Sequence, residues 1–91
     1  MKYKIKQTDK YIKKAGKFFK KHPNLLTQYA KTISLLETDP FYPSLRLHKL
    51  QGELKEYYSV SINMEYRIII DLIITDTEII LLDIGSHDEV Y

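Results

Sequence analysis

Arg67 stands second in the run Tyr66 to Ile74, which is otherwise mostly isoleucine and leucine, and a guanidinium in such a place needs a partner. Two kinds suit it. One is a carboxylate such as Glu65 or Asp71, since arginine is favoured in partly buried ion pairs. The other is a phosphate, to which the planar fork offers two parallel N–H donors. His87 directly follows Gly85-Ser86, where the chain is expected to leave its last strand. Its neighbours Asp88 and Glu89 would favour the imidazolium, which suits a general acid. A histidine so near a terminus is equally readable as an exposed bystander. His48, on an alternating segment, is a third candidate or else packing filler.

What is missing narrows the chemistry. Among 91 residues there is no cysteine, so a disulfide framework, thiolate metal sites and a cysteine nucleophile are excluded, and catalysis would fall to His, Lys, Arg, Tyr, Ser or carboxylates. The three histidines form no His-x3-His or His-x-x-Glu pattern, so no metal and no cofactor are expected.

The elements that must position these residues follow from apolar periodicity. Tyr3 to Gln7 alternates apolar and basic residues, as a short half-exposed strand does. Thr8 can cap a helix from Asp9 to Lys21, in which Tyr11, Ile12, Ala15, Phe18 and Phe19 form one stripe and six lysines the rest of the surface. His22-Pro23-Asn24 stops it and supplies a cap for a second helix reaching Glu37, with Leu26, Tyr29, Ala30, Ile33 and Leu35 or Leu36 turned inward. So short a turn predicts an antiparallel helical hairpin.

Beyond Pro43 the period changes to two. Leu45 to Leu50 alternates up to a turn at Gln51-Gly52-Glu53. Tyr58, Val60 and Ile62 alternate with Tyr57, Ser59 and Ser61, Asn63-Met64-Glu65 turns, and strands are expected over Tyr66 to Ile74 and Ile79 to Ile84. Loops this short leave no room for crossover helices, so the expected class is α+β: an N-terminal helical hairpin packed on one face of a twisted antiparallel sheet, as a single domain over residues 1–91. The other face is then open for a site.

Charge is distributed unevenly along the chain. Residues 1 to 22 carry a net +8, residues 23 to 70 balance, and residues 71 to 91 carry −6. A lysine-rich helix is commonly just a solvated face, but it is also the footprint of a protein that docks on nucleic acid or on an acidic partner. The most apolar stretch, Ile68 to Ile84, is too polar to cross a bilayer, and no apolar segment follows the first lysines. A cytoplasmic protein with no membrane contact is expected.

The segments Leu47-His48-Lys49-Leu50-Gln51-Gly52, Tyr57 to Ile62, Glu65-Tyr66-Arg67-Ile68-Ile69-Ile70 and Leu82 to Tyr91 resemble toxins of the RelE/ParE superfamily, the toxin halves of bacterial type II toxin–antitoxin pairs. The nearest likeness is to the RelE-like mRNA interferases of the YafQ and YoeB kinds. The resemblance implies a RelE-like fold and a metal-independent, ribosome-dependent endoribonuclease that cuts mRNA by 2′-hydroxyl attack and so blocks translation. It implies catalytic roles for His48, for Glu65 as general base, for Arg67 on the phosphate and for His87 as general acid. RNA contacts are then expected from Tyr91, whose ring could stack on a base, and from Tyr66, Arg46, Lys49, Lys13 and Lys17. Two positions depart from the YafQ pattern: Ser61 replaces a histidine, and Tyr66 a tryptophan.

Implied partners are a cognate antitoxin, mRNA and the ribosome, with the free toxin a monomer and its antitoxin complex a higher oligomer. Two other functions fit the same scaffold: a ParE-like poison of DNA gyrase, which needs no catalytic acid, and a module that only binds nucleic acid.

Overall fold

The computed structural model describes residues 2–52, 56–86 and 90. Strand β1 (Lys4–Gln7) leads into helix α1 (Asp9–Lys21), then a 3-10 turn over Pro23–Leu25 and helix α2 (Leu26–Thr38). A second 3-10 turn over Pro43–Leu45 precedes β2 (His48–Lys49), β3 (Tyr58–Ser61), β4 (Tyr66–Ile73) and β5 (Glu78–Ser86). The strands form one sheet in the order β1-β5-β4-β3-β2.

Strands β2 to β5 are antiparallel neighbours, as their short loops require, whereas β1 pairs in parallel with β5 from Lys4 opposite Glu78 to Gln7 opposite Leu81. The sheet is therefore mixed, where a wholly antiparallel one was expected. Loop length constrains only consecutive strands. The chain between β1 and β5 contains both helices and the whole meander, so the direction of this edge is free to be parallel.

Helix α1 has the expected bounds because Thr8 caps it: its Oγ1 accepts from the Tyr11 N–H at 3.1 Å while its carbonyl accepts from Ile12. Tyr11, Ala15 and Phe18 are buried and the lysines fan outward. The two helices are joined by a 2.7 Å hydrogen bond between the Tyr11 and Tyr29 hydroxyls and by contact of the Phe19 and Tyr29 rings.

The inward stripe of α2 keeps Tyr29, Ile33, Leu35 and Leu36 as expected but differs at two positions. Leu25, at 8% exposure, enters the core, while Leu26 stays 50% exposed, Ala30 faces solvent and Thr32 is buried in its place. Asn24 does not cap this helix, which has no side-chain cap at all. The cause is the tighter winding of the 3-10 turn after Pro23, which rotates the following residues and brings Leu25 under the hairpin. Thr32 tolerates burial because its hydroxyl donates to the Gln28 carbonyl one turn back.

Val60, Ile62, Ile68, Ile70, Ile79, Leu81 and Ile84 pack beneath the helices with Tyr11, Phe18, Leu25, Leu36 and Leu45. The opposite face is not bare. Leu50, Ile69 and Val90 form a smaller cluster there with Tyr57 and Leu82. A bulge sets Ile69 opposite Asp83 but Ile70 opposite Leu81, which lets Leu82 join this cluster. Alternation before β2 also fails, because Pro43–Leu45 coils and Arg46 takes a left-handed conformation at φ 50°, leaving a strand of two residues. Gly52 has φ 73°, which suits its place in the turn, and Glu53 lies outside the described residues.

Candidate functional site

Strand register gathers the polar residues of the sheet on the face turned away from the helices. Ser61 lies opposite Arg67, which lies opposite Gly85; His48 lies opposite Ser59, which lies opposite Ile69. Directly opposed residues project to the same side of a sheet, so His48, Ser59, Ser61 and Arg67 share one face. Sheet spacing puts the His48 and Arg67 backbones on the order of 12 Å apart, across which two long side chains can converge on a ligand.

Arg67 is half-buried. Its Nη1 donates to Ser61 Oγ at 3.4 Å, and the Ser61 hydroxyl donates onward to the Asn63 carbonyl at 3.0 Å. Asn63 itself is fixed, since its Oδ1 accepts from the N–H groups of Glu65 and Tyr66 at 2.9 and 2.8 Å. The guanidinium is thus held by neutral oxygens. Its Nε is buried without a hydrogen-bond partner, and so is Ser59 Oγ.

The carboxylate partner considered from the sequence does not take this role. Among the described residues the ion pairs are Lys6 with Glu78 and Lys14 with Asp83, and neither Glu65 nor Asp71 reaches Arg67. An arginine with unused donors and no compensating carboxylate among those residues is suited to an external anion, above all one with oxygens spaced for a fork.

The remaining candidates divide. Glu65 is exposed in the turn that leads into β4, two residues before Arg67. His48 is exposed on β2, with Nδ1 3.2 Å from the Arg46 carbonyl. Arg46 lines a cleft of about 520 Å³ with Gln28, Ser44, Ser61 and Asn63. Tyr66, by contrast, turns to the helix side, where its ring meets Phe18 at 5.1 Å and His22 at 4.8 Å. Lys49 is opposite Tyr58 and so belongs to the helix side as well, as do Lys13 and Lys17 on the exposed surface of α1. These four do not converge with Arg67. His87 and Tyr91 lie outside the described residues, as do Asp88 and Glu89.

Sequence reasoning missed two contributions. Ser61 alternates with Val60 and Ile62 and so marks the polar second face of its strand, but its contact with Arg67 has no signal in the sequence. His22 belongs to the helix stop, and only the fold shows its ring against both Phe18 and Tyr66. No group of three or more metal-ligating side chains is assembled among the described residues, and no helix is long and apolar enough to cross a membrane.

Residues 3–91 match the model of the YafQ family, bacterial toxins of type II toxin–antitoxin systems. No curated protein sequence matches. Among solved structures, YafQ from Escherichia coli BL21(DE3) superimposes with a TM-score of 0.80 at 18% identity, covering 98% of each chain. A chain of the E. coli DinJ–YafQ toxin–antitoxin complex gives 0.79 at 22% identity over 100% of this chain and 99% of that one. The YoeB/ParE toxin from Agrobacterium tumefaciens gives 0.72 at 16%, covering 92% and 98%. At these identities the likeness is one of fold: two helices on a five-stranded mixed sheet.

Proposed function

Because the chain belongs to the YafQ family of bacterial toxins of type II toxin–antitoxin systems, we propose that it is an mRNA interferase, a metal-independent and ribosome-dependent endoribonuclease of the bacterial cytoplasm. The observation that carries this reading is Arg67: a half-buried guanidinium, steadied by Ser61, with donors to spare and no carboxylate on it among the described residues. That is the electrostatic element phosphoryl transfer needs, because negative charge accumulates on the non-bridging oxygens as the nucleophile attacks.

The chemistry is an in-line displacement. The ribose 2′-oxygen forms a bond to phosphorus and gives its proton to a base; the bond from phosphorus to the 5′-oxygen breaks, and that oxygen takes a proton from an acid. The products are a 2′,3′-cyclic phosphate and a 5′-hydroxyl. Glu65, exposed beside the Arg67 face, is the proposed base, and His87, two residues beyond the Gly85 that pairs with Arg67, the proposed acid. His48 supplies a second imidazole on the same face, Arg46 a further cation at its edge, and Tyr91 a ring on which a base stacks.

The cellular partner is an antitoxin. The solved complex of E. coli YafQ with DinJ supports this assignment. The free chain is proposed to be a monomer and the antitoxin complex a higher oligomer.

Induced expression tests the reading. Translation arrest with cut messages is expected, relieved when Arg67 is replaced by alanine; a DNA-damage response with intact messages would instead mark a gyrase poison.

A further inference from the structure

A second cationic site lies on the other side of the sheet. Lys14, Lys17 and Lys21 recur at three- and four-residue steps on α1, so they share one side of the helix, and with Phe18, His22 and Ile84 they line a cleft of about 220 Å³. Lys14 is pinned to Asp83 of β5, which fixes one wall. Lys17 and Lys21 have no ion pair among the described residues and keep their full charge for something else. His22 sits at the C-terminal end of α1 with its ring 4.7 Å from Phe18 and 4.8 Å from Tyr66, so the lysines border a small aromatic platform.

The position of this cleft relative to Arg67 is informative. Ile84, in the cleft, and Gly85, opposite Arg67, are consecutive residues of β5 that face opposite sides of the sheet. Strand β1 pairs with β5 only as far as Leu81, so from Leu82 to Ser86 that edge carries no strand among the described residues. A flexible polyanion can therefore pass from one face to the other around this edge. A compact anion bound at Arg67 alone would leave the cleft unused.

The geometry points to a phosphate subsite for single-stranded RNA: the cleft holds a backbone phosphate of the strand being cut, away from the one at Arg67, with the adjoining sugar or base against His22 and Tyr66. This rests on the reading of the chain as an RNA-directed toxin. Ammonium groups beside aromatic rings are the pairing that single strands use, whereas the carboxylates of an acidic peptide would gain nothing from the rings.

The test uses the full chain and a fluorescent single-stranded RNA of about 12 nucleotides with 2′-O-methyl riboses, so that it binds without being cut. Affinity is measured by anisotropy over a range of salt concentrations. Replacing Lys17 and Lys21 together by alanine is expected to reduce the slope of log affinity against log salt by about 0.7, the amount that one neutralised phosphate on a single strand contributes. Replacing Lys2 and Lys10, exposed and outside the cleft, should leave the slope nearly unchanged. Alanine preserves the helix, which far-UV circular dichroism verifies.

Equal effects of the two pairs would reduce the lysines to a solvated face and overturn the proposal. So would an unaltered slope accompanied by weaker binding to a polyglutamate peptide, which would assign the cleft to an acidic protein segment, or an effect seen only with a hairpin RNA. Cleavage is scored separately on an unmodified message loaded on ribosomes: a slope that falls as expected in a protein that never cuts there would leave this subsite standing and remove the nuclease reading.

Discussion

Arg67 gains its proposed role from what it lacks. An isolated guanidinium in a strand is costly to keep half out of water, and a carboxylate would relieve it while cancelling the charge that a phosphorane needs. Ser61 relieves it with a neutral oxygen instead. Replacing Arg67 by alanine is expected to lower the cleavage rate by about 100-fold or more, and lysine should restore little because it lacks the fork. Ser61→Ala removes one hydrogen bond to a charged group, for an expected loss of about tenfold in turnover, with the Michaelis constant little altered and Ser61→Thr restoring the rate. Single-turnover assays on ribosomes check both. Tyr11 offers a residue-scale test of the core. Burial, reinforced by the Tyr29 hydroxyl, pushes its phenol far above the ordinary value of 10.0. The unfolded chain releases this proton near pH 10 while the folded chain keeps it, so the stabilisation is complete below pH 10 and falls as pH rises past it. Urea unfolding between pH 9 and 11 should show a decline that is smaller in Tyr11→Phe.

At the scale of elements, helix α1 and the three-strand meander were legible because each signal is local. Thr8, the 3.6-residue stripe and the period-2 alternation of Tyr58, Val60 and Ile62 act within a few residues of where they are read. Thr8→Ala should cost about 1 kcal/mol of stability through loss of the cap. Helix α2 keeps Tyr29, Ile33, Leu35 and Leu36 inward as its periodicity predicts, but its start differs, since the 3-10 turn after Pro23 adds a rotation that helical periodicity does not contain and turns Leu25 inward in place of Leu26. The two leucines separate the readings in a denaturant melt. Leu25→Ala is expected to cost about 2–3 kcal/mol as a core truncation, and Leu26→Ala no more than about 0.5 kcal/mol. The parallel edge made by β1 was not legible, because it joins residues 4–7 to 78–81 with no local signal for direction.

For the molecule as a whole, the uneven charge becomes an arrangement in space. The lysine-rich segment forms helix α1 and the edge at β1, and β5 brings acidic Asp83 and Glu78 to pair with Lys14 and Lys6. The candidate site was legible only in part. Period-2 parity already separates Tyr66 from Arg67, and the structure sends Tyr66 to the helix side accordingly; the register that sets His48 and Arg67 on one face joins different strands and has no local signal. Contact with RNA through both faces would explain why cations occur on each, and binding should weaken steeply as salt rises. The measurement that bears most directly on the proposed activity is the chemistry of the cut ends. Purified protein is incubated with an end-labelled message on ribosomes, and the fragment termini are identified. A 2′,3′-cyclic phosphate paired with a 5′-hydroxyl, absent from the Arg67→Ala protein, is the expected result; intact message, or 3′-hydroxyl and 5′-phosphate ends, would contradict it.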